Sequence, residues 1–388
     1  MRILQVMNFY QNTSGEDIYF SSLAELLRKY GNEVYTYTKN SKEISEGLCG
    51  KFQVGIGMFF NKKVIDEFSE LLDKFKPDIA HFHNLYPLIT PIAYEICKKK
   101  GVPIIQTIHN YRFMCPKGIL FRNGKICELC VGKKFPYLLL LYGCYHRSYL
   151  ASIAYSSSVY YYQLKNAFDK IDKFIFLTDF TRNYYIKHLN FVESKTTVIP
   201  YFFDNPPLNK EKLRKGNYFL YIGRLVEEKG IISLLKLFSA IPKLKLVIIG
   251  DGPLKREVLE YRQYKNISIK DYLPREEALV YIKKALFTIF PSLWYDALPL
   301  SMIESYALGT PVLAPKFGPF LELVKERETG LFFKYDDLED LRAKLILINQ
   351  KKGLISKMSI YARKEYESKY LPERHYSSLM KVYHSVIK

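Results

Sequence analysis

The chain has 388 residues, which at roughly 150 residues per domain allows about 2.6 domains and excludes a small disulfide-stapled module. Apolar residues make up 48% and charged residues 25%, the balance of a folded protein rather than of a disordered basic tail. Lys and Arg number 58 against 39 acids, a net charge of +19. An excess of that size attracts nucleic acid, acidic membrane or phosphate-bearing small molecules, and does not choose among them.

The amino terminus, MRILQVMNFY, carries one charge and an apolar run too short for a signal-peptide core with a cleavage site, so it reads as a first buried strand. No stretch reaches the roughly 18 to 20 apolar residues that span a bilayer; the nearest, FPYLLLLYGCY at 135–145, stops at His146 and Arg147. These features lead us to expect a soluble, cytoplasmic chain. Its six cysteines (Cys49, Cys97, Cys115, Cys127, Cys130, Cys144) are then thiols or metal ligands rather than a disulfide framework.

Short β-rich runs follow in order: RILQVM (2–7), EVYTYT (33–38), IAHFH (79–83), PIIQTI (103–108), KFIFL (173–177) and TTVI (195–198). Helical patterns lie between them, such as IYFSSLAELLRKYG (18–31), with apolar residues three and four apart and Gly31 as a stop. At 201–217, YFFDNPPLNKEKLRKGN has a Pro pair and many basic residues, which suits a linker. The rhythm then restarts with YFLYIG (218–223), LKLVIIG (244–250), NISIK (266–270), FTIF (287–290), PVLA (311–314) and GLFF (330–333). Alternation of this kind predicts an α/β protein of two doubly wound, parallel-sheet domains. Residues 1–203 form the first and 204–369 the second, with a helix at about 370–388 packing back on the first. Ligands of open α/β sheets sit beyond the carboxyl ends of the strands, so the residues just after each run are the ones to read for chemistry. Facing domains would hold a ligand in the cleft between them.

After YFLYIG comes GRLVEEKG. Gly223 permits close backbone approach, and Arg224 and Lys229 put two cations at a strand end, matched to a diphosphate; an ordinary loop with solvated charges is the plain alternative. In PSLWYDALPLSMIESYALGTPVLAP (291–315), Pro299 suits a first helical turn, so the helix is predicted from about Leu298 to Gly309. The amides at its start, those of Leu298, Leu300 and Ser301, would bind phosphate. Asp296 precedes that helix and Glu304 lies inside it among Met302, Ile303, Tyr306 and Ala307, an apolar side on which a carboxylate needs a partner.

These segments resemble the family-4 glycosyltransferases, which have the GT-B fold of two facing Rossmann-like domains with the active site in the cleft. The marks are GR followed by EKG (Gly223, Arg224, Glu228, Lys229, Gly230), GDGP (250–253), PS, two acids spaced by eight positions (Asp296, Glu304), ALGTPV (307–312) and ETGLFF (328–333). QTIHNYRFMCP (106–116), KFIFLTDFTRNYY (173–185) and VIPYFFD (198–204) extend the likeness through the first half. The resemblance implies a nucleoside-diphosphate sugar donor. Arg224 and Lys229 would neutralise its diphosphate, Glu304 would bind the ribose, Asp296 and His109 would touch the sugar, and backbone around Leu273 would accommodate the base. It implies retention at the anomeric carbon, by front-face attack in which the departing phosphate oxygen takes the acceptor's proton. No Asp-x-Asp triplet stands at a strand end, so no catalytic metal is expected and the leaving-group charge falls to Arg224, Lys229 and helix amides. Two positions depart from the family: Asp296 replaces the usual Glu, and Ser14 replaces a second glycine beside Gly15, the residue left to approach the ligand.

An insert at about 112–150 holds Cys115, Cys127, Cys130 and Cys144. A C-x2-C pair with two flanking cysteines can bind a structural zinc, with His146 as a substitute ligand; buried thiols and a redox pair are the alternatives. From 97 to 165 there are eleven Lys and Arg against one acid, Glu128, a net +10. With the aromatic stretches FPYLLLLYGCY and AYSSSVYYYQL, that segment is read either as docking on an anionic membrane where a lipid-linked acceptor waits, or as a core with a solvated basic face. The function expected is a retaining, metal-independent hexosyltransferase acting on a glycan or lipid-linked glycan in cell-surface polysaccharide or glycolipid assembly, peripheral on the inner membrane face. A GT-B nucleotide-sugar epimerase or hydrolase is the nearer alternative, and a basic nucleic-acid-binding α/β protein the farther one; with the glycosyltransferase reading no nucleic-acid partner is expected.

Overall fold

The computed structural model describes residues 1–10, 14–44, 54–133, 137, 142–145, 148–204 and 216–387. Cys49, most of the run at 135–145, His146, Arg147 and linker positions 205–215 lie outside the described residues. The chain divides into two compact units. The first comprises Met1–Leu120, Glu128–Ile199 and Glu373–Lys388, and the second Phe121–Cys127 and Pro200–Pro372.

The first unit contains strands β1 (Arg2–Phe9), β2 (Glu33–Asn40), β3 (Ile79–Phe82) and β4 (Ile104–Ile108). A short antiparallel hairpin, β5 (Phe121–Arg122) and β6 (Lys125–Ile126), comes next in the chain, followed by β7 (Lys173–Phe176) and β8 (Thr196–Val198). Apart from the hairpin, the strands form one parallel sheet in the order β2-β1-β3-β4-β7-β8. Helices α1 (Gly15–Lys29), α2 (Lys62–Phe75), α3 (Ile92–Lys99), α4 (Tyr149–Leu164) and α5 (Asp179–Leu189) connect them. Helix α2 shows how the sequence does this: the side chain of Asn61 accepts a hydrogen bond from the Val64 amide at 3.3 Å, capping the first turn. Val64, Phe68, Leu72 and Phe75 then recur three and four apart and are all buried.

The second unit repeats the plan. Strands β9 (Phe219–Ile222), β10 (Leu246–Ile249), β11 (Ile267–Lys270), β12 (Thr288–Ile289), β13 (Val312–Pro315) and β14 (Gly330–Phe333) form a parallel sheet in the order β11-β10-β9-β12-β13-β14. Its helices are α6 (Ile231–Ser239), α7 (Lys255–Leu259), α8 (Arg275–Lys284), α9 (Leu300–Ala307), α10 (Phe320–Leu323), α11 (Leu338–Gln350) and α12 (Lys352–Lys369). Strands such as LVII of β10 are buried at every residue, as expected where helices cover both faces of a parallel sheet. Each such aliphatic side chain contributes about 1.5–3 kcal/mol on burial.

The chain passes between the units at 199/200, where the sequence reading put the boundary at 203/204. Backbone and side chains explain the difference. The Phe203 amide donates to the Tyr370 carbonyl at 3.1 Å, and the Tyr366 hydroxyl donates to the Phe203 carbonyl at 2.8 Å, tying this segment to the end of α12. The last helix, α13 (Pro372–His384), lies on the first unit: Tyr376 stacks on Tyr30 with ring centroids 4.0 Å apart, and Tyr383 bonds to His81.

The strand order reverses between β1 and β3 in the first unit and between β9 and β12 in the second. At such switch points the loops leaving neighbouring strands diverge and open a crevice. The chemistry-bearing residues follow these strands.

Candidate active site

In the second unit the loops after β9 and β12 are fastened to each other. The Leu293 amide donates to the Glu228 carbonyl at 2.9 Å, and Gly230, with φ of +68°, lies so close to Pro291 that a Cβ would collide with the proline carbonyl. Only glycine meets both demands there. The Gly223 carbonyl likewise leaves no room for a Cβ at Gly250, which accounts for the first glycine of GDGP. A hydrogen bond of 2.6 Å from the Tyr221 hydroxyl to the Arg224 carbonyl holds the turn that carries Gly223 and Arg224.

That framework brings the charged residues together. Lys229 forms an ion pair with Asp296, and its ammonium stands 5.5 Å from the centre of the Trp294 ring. Arg224 lies 3.7 Å from Glu228 and keeps about half of its side chain exposed. Two cations and two carboxylates thus surround the ends of β9 and β12. Lys229 has three N–H donors, so it can hold Asp296 and an incoming anion together.

Helix α9 begins at Leu300, not near Leu298, and ends before Gly309, whose φ is +63°. Pro299 takes an extended conformation (ψ 125°) as the N-cap, so the ladder starts one residue after it. Leu300 and Ser301 open the helix, where amides precede the helix's own hydrogen bonds. Leu298 is buried in the preceding loop. The Ser305 hydroxyl donates to Thr288 Oγ1 at 2.8 Å, which ties α9 to β12, and the Tyr306 hydroxyl donates to the Leu323 carbonyl at 2.9 Å, which ties α9 to α10.

The partner that Glu304 requires is Arg275, the first residue of α8, 3.3 Å away. Burial pushes the Glu304 carboxyl above the usual carboxylate range, while the neighbouring guanidinium opposes that shift. Arg275 in turn packs over the Phe203 ring at 4.8 Å. Leu273 lies two residues before it, in the loop between β11 and α8. Reading the sequence did not single out Arg275; its position just after Leu273, at the amino end of α8, was the available signal.

In the first unit, His109 follows β4 and is buried; burial pushes its imidazole down to about 4. His109 Nε2 is 2.8 Å from His83 Nδ1. Gly15 opens α1 behind Ser14, whose amide donates to the Asp17 carboxylate at 2.7 Å. Ser14 occupies the N-cap position, held there by its backbone amide. Glu16 beside it accepts hydrogen bonds from Asn84 and Asn110, the residues that follow β3 and β4.

The structural zinc expected in the insert is not supported. Among the described residues, no group of three or more His, Cys, Asp or Glu could hold a metal ion. Cys115 sits in a turn that its own amide closes onto Tyr111 at 2.8 Å, and Cys127 follows the β5–β6 hairpin in the second unit, whereas Cys115, Cys130 and Cys144 belong to the first. Chain spacing of a C-x2-C type permits chelation but does not by itself gather four ligands.

Comparison with known proteins bears on the whole chain. Residues 14–205 match the family model described as Glycosyltransferase Family 4, and residues 207–365 the one described as Glycosyl transferases group 1. The uncharacterized glycosyltransferase MJ1178 of Methanocaldococcus jannaschii is 25% identical over 390 residues, 99% of this chain and 98% of that protein. A Campylobacter jejuni enzyme, GalNAc-alpha-(1->4)-GalNAc-alpha-(1->3)-diNAcBac-PP-undecaprenol alpha-1,4-N-acetyl-D-galactosaminyltransferase, is 30% identical over 161 residues, 40% of this chain and 44% of its own. The Anabaena protein HepE, solved in complex with UDP-glucose, shares the fold with a TM-score of 0.69 and 13% identity, covering 99% of this chain and 100% of that one. With both halves matched in family order, the chain belongs to the family-4 glycosyltransferases of the GT-B fold.

Proposed function

We propose that the protein is a retaining glycosyltransferase that takes a sugar from a nucleoside-diphosphate donor held by the second unit and transfers it to a glycan or lipid-linked glycan. The observation that carries this reading is the cluster at the sheet's switch point: Arg224, Lys229 and Asp296 after β9 and β12, with Glu304 on the helix that begins there. The two cations neutralise the diphosphate, joined by amides of Leu300 and Ser301. Glu304, exchanging Arg275 for ribose hydroxyls, accepts their hydrogen bonds. Asp296 and His109 contact the sugar, and backbone at Leu273 receives the base. Side-chain cations and amides, rather than a divalent metal, stabilise the departing phosphate, whose oxygen takes the acceptor's proton at the face the acceptor attacks.

Product analysis separates this from a nucleotide-sugar hydrolase or epimerase. Transfer predicts that donor turnover rises steeply when acceptor is added. Release of free sugar and nucleoside diphosphate at an equal rate without acceptor would favour hydrolysis.

We place the reaction at an anionic membrane surface, on the strength of helix α4. Its sequence, YLASIAYSSSVYYYQL, contains no charged residue, and Tyr149, Leu150, Ile153, Tyr160, Tyr161 and Leu164 are exposed. At 100° per residue all six fall on one face, and Leu150 is 74% exposed. Tyrosine-rich apolar faces amid lysines suit the headgroup region, with about 1 kcal/mol per basic residue near an anionic leaflet. None of the described helices is long and apolar enough to cross a membrane. In cosedimentation the protein should bind anionic vesicles at low salt and release as salt rises, with Leu150→Glu weakening the binding. Equal binding to neutral and anionic vesicles would contradict the electrostatic part.

A further inference from the structure

The loop after β12 carries the chain's one tryptophan, Trp294, which the proposed transfer leaves without a role. It is only 6% exposed. Hydrogen bonds pin the loop on either side of it: the Leu293 amide donates to the Glu228 carbonyl at 2.9 Å, and the Leu293 carbonyl accepts from the Tyr335 hydroxyl at 3.1 Å. The Asp296 amide donates to the Trp294 carbonyl at 2.9 Å, closing a three-residue turn. One turn therefore offers two partners to Lys229, which comes from the loop after β9. The Asp296 carboxylate forms the ion pair, and the ammonium stands over the Trp294 ring, 5.5 Å from its centre. The side chains of Lys229 and Asp296 are 17% and 9% exposed, so the three groups meet largely out of water.

The two partners act differently on the ammonium. A carboxylate places it and cancels its charge, whereas a ring face places it through the ring's quadrupole and leaves the charge available. Tryptophan is the strongest aromatic in this contact, and the contact strengthens as it is desolvated. A second observation separates this ring from ordinary core packing. Trp294 Nε1 is buried and has no hydrogen-bond partner among the described residues, although a buried indole N–H usually finds one. Leucine or phenylalanine would fill apolar space without leaving that donor unpaired. What the site uses of Trp294 is its face.

We infer that Trp294 is a positioning residue: its ring face holds the Lys229 ammonium in place and leaves that charge for the donor's diphosphate when Asp296 turns to the sugar. This rests on the diphosphate role proposed for Lys229. No bond or proton changes hands at Trp294. It fixes where one positive charge stands, so its effect on the ligand passes through Lys229.

The test is made on the whole protein. With 13C-labelled lysine and no nucleotide present, the side-chain methylene signals of Lys229, identified by their loss in Lys229→Ala, should be shifted upfield by the indole ring. Unshifted signals in the wild-type protein overturn the inference, and this reading needs no variant at Trp294. Calorimetric titration with UDP, GDP and ADP then finds the diphosphate that binds. Trp294→Leu should weaken it about 5- to 30-fold, the equivalent of about 1–2 kcal/mol. Trp294→Phe, which keeps a ring face and removes the unpaired N–H, should bind within about threefold of the wild type. In a Lys229→Ala background, Trp294→Leu should add less than about a twofold loss. An equal loss with and without Lys229, or Trp294→Phe binding as weakly as Trp294→Leu, would mean a merely structural tryptophan and overturn the inference. If none of the three nucleotides binds the wild-type protein, the donor reading falls and this inference with it, an outcome told apart from the others because it precedes any substitution at Trp294.

Discussion

Glu304→Ala and Lys229→Ala should each reduce kcat/KM by about a hundredfold to a thousandfold or more, the loss expected when a charged group that contacts the transferring nucleotide is removed. The two variants should differ in stability. Glu304 pairs with Arg275, whose side chain is 44% exposed and can turn to water, so Glu304→Ala should leave Tm nearly unchanged. Lys229 pairs with Asp296, whose side chain is only 9% exposed. Truncating the lysine leaves a buried carboxylate without its cation, so Lys229→Ala should also lower Tm, and Lys229→Arg should restore stability more fully than activity because a guanidinium fork does not reproduce the ammonium's placement. Steady-state kinetics with differential scanning calorimetry would check both. Wild-type activity in Glu304→Ala would remove the ribose role assigned to it.

Acid should unfold the protein through the histidine cluster. Burial holds His109 at about 4 and His81 at about 3, and holds His83 well below its ordinary value. In the unfolded chain all three titrate near 6.5. Below that pH the unfolded state takes up protons that the native state refuses, so stability is retained above about 6.5 and lost as pH falls toward 4. Each histidine contributes about 1.4 kcal/mol per pH unit, and three together about 4 kcal/mol per unit. A native stability of about 5–15 kcal/mol would then be lost within roughly one to four units. Glu304 works in the other direction: its raised carboxyl binds a proton more readily when folded, which adds stability as pH falls, but it is one group against three. Urea melts at pH 7, 6 and 5 followed by circular dichroism should show a steep drop in midpoint. An unchanged midpoint across that range would contradict the neutral, buried state of these rings.

The strands were legible because parallel sheets bury both faces, so each strand reads as a short apolar run bounded by helix signals. IIQTI and LVII are observed as β4 and β10. The hairpin at Phe121–Ile126 was missed although Asn123–Gly124 is a turn signal, with both residues at positive φ (51° and 74°). The start of α9 was placed early because proline fits both a first helical turn and an extended N-cap, and the sequence does not distinguish them. Arg224, Lys229 and Asp296 could be singled out as candidates because they follow apolar runs, those of β9 and β12, which neighbour each other in the sheet. Their pairing could not: Glu304 meets Arg275 and His109 meets His83 across the sheet or from the adjacent helix, 29 and 26 positions away in the chain. The cysteines failed for the same reason in reverse, since a metal-like spacing does not by itself bring ligands together: among the described residues no group of three or more His, Cys, Asp or Glu could hold a metal ion.

The central claim is that the second unit holds a nucleoside diphosphate between Arg224, Lys229 and Glu304. Thermal-shift titration with UDP, GDP and ADP tests it most directly, because a ligand bound only by the native state raises stability by about 2.7 kcal/mol at a hundred times its Kd. At least one of the three should raise the Tm of the wild-type protein by several degrees and have no such effect on Glu304→Ala. If none shifts the wild-type protein, or if Glu304→Ala responds equally, the donor site described here is wrong.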